Sequence, residues 1–157
     1  MSEKKLAGLE PASVFHYFEQ ICAIPHGSRN TRMISDYLVR FAKEHGLLLV
    51  QAHPFRNGMT MVNPRLLDGV EAFNGHYSHE SRNYLANELA NRYGLIKTSG
   101  TDFHHPVQQP SGGIVTNEPI TSVTQLIEIL KSGNYTLICQ GPAAERDGMT
   151  DMPAKEN

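Results

Sequence analysis

Hydrophobic positions along this chain change their period. From Val14 through Phe18 to Ile21, with Phe15 and Cys22 beside them, apolar residues recur every three or four positions, which predicts an amphipathic helix closed by Pro25 and Gly27. A second such stripe, Ile34, Tyr37, Leu38 and Phe41, begins after the capping candidates Asn30 and Thr31 and stops at Gly46. The character then shifts. Leu47 to Val50 is a short unbroken apolar run, the pattern of a strand buried on both faces of a parallel sheet. Gly69 to Asn74 reads as another strand, and Ser78 as the cap of a helix running to Tyr93 with Leu85, Ala86, Leu89 and Ala90 inward. Leu95 to Ser99 and Ile114 to Thr116 read as extended. Ser122 and Gln125 suggest a capping box for a helix carrying Val123, Leu126, Ile127 and Leu130, and Tyr135 to Cys139 reads as a last strand. The Pro-, Gly- and charge-rich stretch 141–157 is expected to be a disordered tail.

Alternation of strand and helix is an α/β pattern, in which ligand chemistry is expected at the C-terminal ends of the strands. Polar residues of interest fall there. His53 closes one predicted strand, and Asp102 and His104 follow another. In an extended segment residues two apart point the same way, so Asp102 and His104 are expected to converge, with Gly100 permitting a close backbone approach. Two imidazoles and a carboxylate suit zinc, manganese or iron and leave positions open for water or substrate.

Composition narrows the possibilities. A formal charge of −2 with charges interspersed gives no basic stripe, so no nucleic-acid partner is expected. No apolar run reaches the roughly 20 residues of a membrane helix, and Met1 to Glu10 lacks a signal-peptide core, so the expectation is a cytoplasmic protein with no membrane partner. Cys22 and Cys139 lie in apolar stretches and read as small buried hydrophobes. Eight histidines in 157 residues direct attention to metal ligation. His76, His79 and His105 read as solvated loop residues, and His16, His26 and His45 belong to the helical part with no partner at ligand spacing.

Several motifs occur in order. Ala52-His53-Pro54-Phe55-Arg56, Gly69-Val70-Glu71-Ala72-Phe73-Asn74-Gly75, Arg82-Asn83, Thr98 through His104 and Gly112-Gly113-Ile114 together resemble the C-terminal part of polymerase-and-histidinol-phosphatase (PHP) domains, over roughly residues 48–138. The resemblance implies an α/β fold, a partial PHP-like β/α barrel with mostly parallel strands preceded by two N-terminal helices. It also implies His53, Asp102 and His104 as metal ligands and makes Arg56 a candidate phosphate contact. The His-x-His that opens a complete site of this family is absent. In its place, Val14 to Ile21, Ile24-Pro25-His26-Gly27-Ser28 and Ile34 to Gly46 resemble the opening of metallo-dipeptidases that cleave Xaa-His dipeptides, whose catalytic ligands lie in sequence that has no counterpart here.

The organisation expected is therefore chimeric: 1–46 a two-helix segment, 47–140 a truncated PHP-like α/β domain, and 141–157 a tail. The function the resemblance implies is a relative of metal-dependent phosphoesterases, weak or inactive because the first-half ligands are missing. The alternative is a minimal one-metal phosphoesterase acting on a small phosphorylated substrate and completed by dimerisation. A homodimer is expected because the strand after Gly46 lacks its former neighbour.

Overall fold

The computed structural model describes residue 6 and residues 8–155. The chain divides into two compact units, Met1–Leu47 and Leu48–Asn157.

The first unit is a helical hairpin of α1 (Ala12–Cys22) and α2 (Arg32–Glu44). The Tyr37 hydroxyl donates to Gln20 Oε1 at 2.6 Å, and Tyr17 meets Phe41 edge-on at 5.5 Å between ring centres. Phe15 and Ile21 are half-buried, but Tyr17 remains 43 % exposed. The rest of the stripe expected to be buried is not. Val14 is 58 % and Phe18 55 % exposed, and Cys22 is exposed too, because the single partner helix reaches only the neighbouring face.

The second unit holds two three-stranded sheets. β1 (Val50–Gln51), β2 (Gly69–Asn74) and β3 (Ile96–Gly100) are parallel with β2 central, and α3 (Asn83–Tyr93) packs against β2. β4 (Gly112–Thr116), β5 (Tyr135–Cys139) and β6 (Met152–Pro153) are antiparallel, with α4 (Val123–Ser132) between the first pair and α5 (Gly141–Asp147) between the second. The fold is mixed α/β with no closed barrel among the described residues, and the expectation of mostly parallel strands holds for the first sheet only.

Three other expectations change. β1 is a two-residue, half-buried edge strand rather than a doubly buried one, since only β2 flanks it. Ser78 does not cap α3. Its amide and hydroxyl turn to His76 Nδ1, both at 3.2 Å, and the helix starts five residues later. The segment after residue 140 is folded through α5 and β6. Asp147 Oδ2 accepts the Asn83 amide at 2.8 Å, capping α3 from 64 residues away, and Asp151 Oδ1 accepts the Cys139 amide at 2.8 Å. Ala143, Ala144, Met149 and Ala154 pack into the core with Phe73 and Leu137. Burial of the larger of these side chains, Phe73, Leu137 and Met149, is worth about 1.5–3 kcal/mol each.

The two sheets meet at β3. A β-carbon on Gly112 would lie 2.4 Å from the Gly100 carbonyl carbon and oxygen, so only glycine allows this approach. The Ser99 hydroxyl donates to the Ile138 carbonyl and accepts the Gly113 amide at 3.1 Å, bonding β3 to both β4 and β5. Tyr135, buried on β5, donates to the Lys97 carbonyl at 2.7 Å, and burial pushes its phenol up to about 12.

Candidate metal centre

The C-terminal ends of β2 and β3 carry the polar cluster. Chain leaving β2 runs through Asn74 and Gly75 to His76, and chain leaving β3 runs through Gly100 and Thr101 to Asp102 and His104. The Gly75 amide donates to the Gly100 carbonyl at 2.8 Å, locking the two strand ends together. The Thr101 hydroxyl then bonds across to Gly112 and accepts the Ser111 amide at 3.1 Å.

His76, Asp102 and His104 form a group whose ligand atoms all lie within 4.8 Å of one another. His104 Nε2 is 3.0 Å from Asp102 Oδ1, and the His76 and His104 rings meet edge-on at 5.5 Å. Asp102 and His104 converge as expected, but by a different route. Asp102 has φ +53, in the left-handed region, so the segment is not extended. Gln108 holds this turn: its Oε1 accepts the amides of His104 at 2.5 Å and His105 at 2.7 Å, and its Nε2 donates to the Asp102 carbonyl at 3.4 Å.

The third member is His76 rather than His53. His53 sits at φ +32, its amide donates to Glu71 Oε2 at 2.8 Å, and its ring Nδ1 is 3.9 Å from the same oxygen. That Nδ1 is buried without a hydrogen-bond partner. Glu71 Oε2 also accepts Asn74 Nδ2 at 3.1 Å. Burial raises the Glu71 carboxyl above its ordinary value, against the lowering effect of its Asn74 and His53 partners.

Arg56, expected to contact phosphate, is engaged by its own chain. Its Nη2 donates to Asp102 Oδ2 and to Asn74 Oδ1, each at 2.7 Å, and its Nε lies 3.3 Å from Ser81 Oγ. Asn74 is itself held by Asn83, whose Oδ1 accepts the Asn74 amide at 2.9 Å and whose Nδ2 donates back to the Asn74 carbonyl at 3.1 Å. Arg56 is thus the residue that orients Asp102. Burial alone raises the Asp102 carboxyl, but the Arg56 hydrogen bond and charge, with help from Asn74 and His104, hold it below the ordinary value.

His76 was read from sequence as a solvated loop residue, yet it is 5 % exposed. The available signal was its place two residues beyond β2, the same strand-end argument that singles out Asp102. Burial, and then the nearby His79, hold its imidazole below the ordinary value against the pull of Asp102, which favours the neutral form that ligation needs.

The donor chemistry fits a divalent ion of the zinc, manganese or iron type: two imidazoles and an ionised carboxylate. Ligand bonds of about 2.0–2.2 Å place tetrahedral donors roughly 3.3 Å apart. The Asp102 and His104 atoms already stand near that separation at 3.0 Å. His76 Nδ1 accepts the Ser78 amide, so ligation through Nδ1 would displace that amide, and ligation through Nε2 would first require the other tautomer. Among the described residues, no helix is long and apolar enough to cross a membrane. Comparison with family models, with curated proteins and with solved structures finds no match.

Proposed function

We propose that this chain is a PHP-like fragment of the metal-dependent phosphoesterase lineage that takes one divalent ion at His76, Asp102 and His104 and hydrolyses small phosphate esters weakly or not at all. The observation that carries the reading is the mutual approach of these three donors, within 4.8 Å, beyond the C-terminal ends of parallel strands. Ordered motifs from His53 to Ile114 support the lineage, with the first sheet standing for part of a PHP-like barrel and the helical hairpin for a dipeptidase-like piece joined near Leu47.

A bound ion would polarise a phosphoryl oxygen and lower the pKa of a bound water. The chain's own residues set its surroundings. Arg56 fixes Asp102 by one oxygen and leaves the other toward His104. Gln108 fixes the backbone beneath both. His53 and Glu71 lie beyond Asn74 as a second polar pair outside the three-donor group. One ion clamps phosphate less completely than the two-metal arrangement, which supports low activity. Among the described residues β1 pairs with β2 alone, and an edge strand of this kind supports a homodimer.

The test is metal titration of purified protein by calorimetry, with ester turnover measured in parallel. Stoichiometric zinc or manganese binding with turnover far below the enzyme median of roughly 10 s⁻¹ is expected. Absence of binding to either ion sinks the reading. Fast turnover abolished by His104→Ala favours the fully competent one-metal esterase instead.

A further inference from the structure

Asn74 ends β2 and is 2 % exposed. A buried amide is costly unless its polar atoms find partners, and here the partners come from both arms of the donor group. Asn74 Oδ1 accepts Arg56 Nη2 at 2.7 Å and the His76 amide at 3.2 Å, with the Ser81 hydroxyl further off at 3.4 Å. Its Nδ2 donates to Glu71 Oε2 at 3.1 Å. The His76 contact alone would be an ordinary turn closed by its own asparagine. What sets it apart is that the same oxygen takes Arg56, whose Nη2 also grips Asp102 Oδ2 at 2.7 Å. One oxygen atom thus stands directly behind His76 and, through Arg56, behind Asp102.

A regular strand would not bring these partners together. Residues three apart point to opposite faces of a strand, yet Glu71 and Asn74 are bonded side chain to side chain. The register of β2 on β3 shifts between Glu71 and Phe73, and this irregularity resets the alternation so that Asn74 turns to the Glu71 side. Asn83 then holds the Asn74 backbone by both its amide and its carbonyl. The chemistry fixes the residue type as well. A short planar amide offers an acceptor on one side and donors on the other. Arg56 and the His76 amide can only donate, so they face Oδ1, and Nδ2 is left to Glu71.

We infer that Asn74 is the positioning residue of the metal centre: its side-chain oxygen holds His76 and Asp102 in place for an ion that Asn74 itself does not touch. The inference rests on the metal-centred reading above and deepens it. Groups that orient ligands in this way typically weigh about 10–100-fold in ion affinity.

The experiment is calorimetric zinc titration of the full-length protein, well below its melting temperature, for the unaltered chain, Asn74→Ala, Asn74→Asp and Ser122→Ala. Asn74→Ala is expected to weaken zinc binding at least tenfold although all three donors remain. Asn74→Asp keeps the oxygen acceptor and should stay within about threefold of the unaltered protein. Ser122→Ala removes the α4 cap far along the chain and, although it lowers stability, should also stay within about threefold. By NMR, the Asn74 side-chain amide protons should be protected from exchange before zinc is added. Unchanged affinity in Asn74→Ala overturns the inference and leaves the metal reading standing. Equal losses in Asn74→Ala and Asn74→Asp overturn it too, since the oxygen would then not matter, and so does an equal loss in Ser122→Ala. Should Asn74→Ala fail to fold, the NMR measurement decides: fast exchange of those amide protons in the zinc-free protein overturns the inference. No zinc binding by the unaltered protein removes the metal reading and this inference with it.

Discussion

Arg56 grips only one oxygen of Asp102: Nη2 lies 2.7 Å from Oδ2, while Oδ1 is left 3.0 Å from His104 Nε2. Both partners of the ion pair are largely shielded, with side chains 15 % and 20 % exposed. Removing the guanidinium leaves Asp102, Asn74 and Ser81 short of a donor in a poorly solvated place. Arg56→Ala is expected to lower unfolding free energy by about 2–3 kcal/mol, the range for hydrogen bonds to charged groups and shielded pairs. Urea denaturation checks it. Arg56→Ala combined with Asp102→Asn should cost less than the two single changes added, because the carboxylate left behind is the main penalty.

The three donors predict an order of metal-binding defects. Asp102→Ala, His104→Ala and His76→Ala should each weaken zinc binding by tenfold or more in calorimetric titrations. His53→Ala should leave the affinity within about threefold, because its ring faces Glu71 and lies outside the three-donor group. A larger loss with His53→Ala than with His76→Ala would restore the ligand set expected from the family resemblance.

Acid should weaken the fold in steps. The His76 imidazole is held below its ordinary value of 6.5, so the unfolded chain binds a proton there before the native chain does. Its contribution is complete above pH 6.5 and is lost as pH falls through the native value. Asp102, also depressed, follows the same sign below its ordinary 3.8. Glu71 is raised and acts oppositely: its contribution is full below 4.5 and is lost as pH rises through its native value. Thermal melts from pH 7.5 to 5.5 should therefore show falling Tm, and His76→Gln should flatten that slope. Glu71→Gln, which keeps an acceptor for His53 and Asn74, should not lower Tm at pH 7.

Much of the scaffold was legible in the chain because local signals and tertiary demands agreed. β2 and β5 fall on Gly69–Asn74 and Tyr135–Cys139 as read, and Ser122 Oγ accepts the Gln125 amide at 3.1 Å, as the capping pattern required. The misreadings occur where distant residues supply what local sequence lacks. α3 takes its N-terminal cap from Asp147 on α5, which no local window could reveal. The stretch from 141 onward carries the Pro, Gly and charge of a solvated tail, yet its small residues Ala143 and Ala144 fill the space beside Leu137. At the site, Asp102 and His104 were found by strand-end logic, whereas His76 was passed over because the turn at Ser78 looked like an ordinary helix start.

The long-range cap carries its own expectation. Asp147→Ala should destabilise the second unit by about 0.5–2 kcal/mol, the range for losing a capping side chain. Hydrogen exchange should localise the effect to amides in the first turn of α3, next to Asn83 and hence to Asn74. Truncation after Gln140 should do more, removing Ala143, Ala144, Met149 and Ala154 from the core and exposing the edge of β5.

The contact between Gly112 and Gly100 also limits how this centre can be redesigned. With 2.4 Å available to a β-carbon, the position accepts no side chain, and the strand that delivers Asp102 cannot slide independently of β4. Widening the donor group from beneath is therefore closed to point substitution. Changes around the donors have to enter from the rim, at exposed positions such as Val107, while Gln108 beside it must stay to hold the backbone of Asp102 and His104.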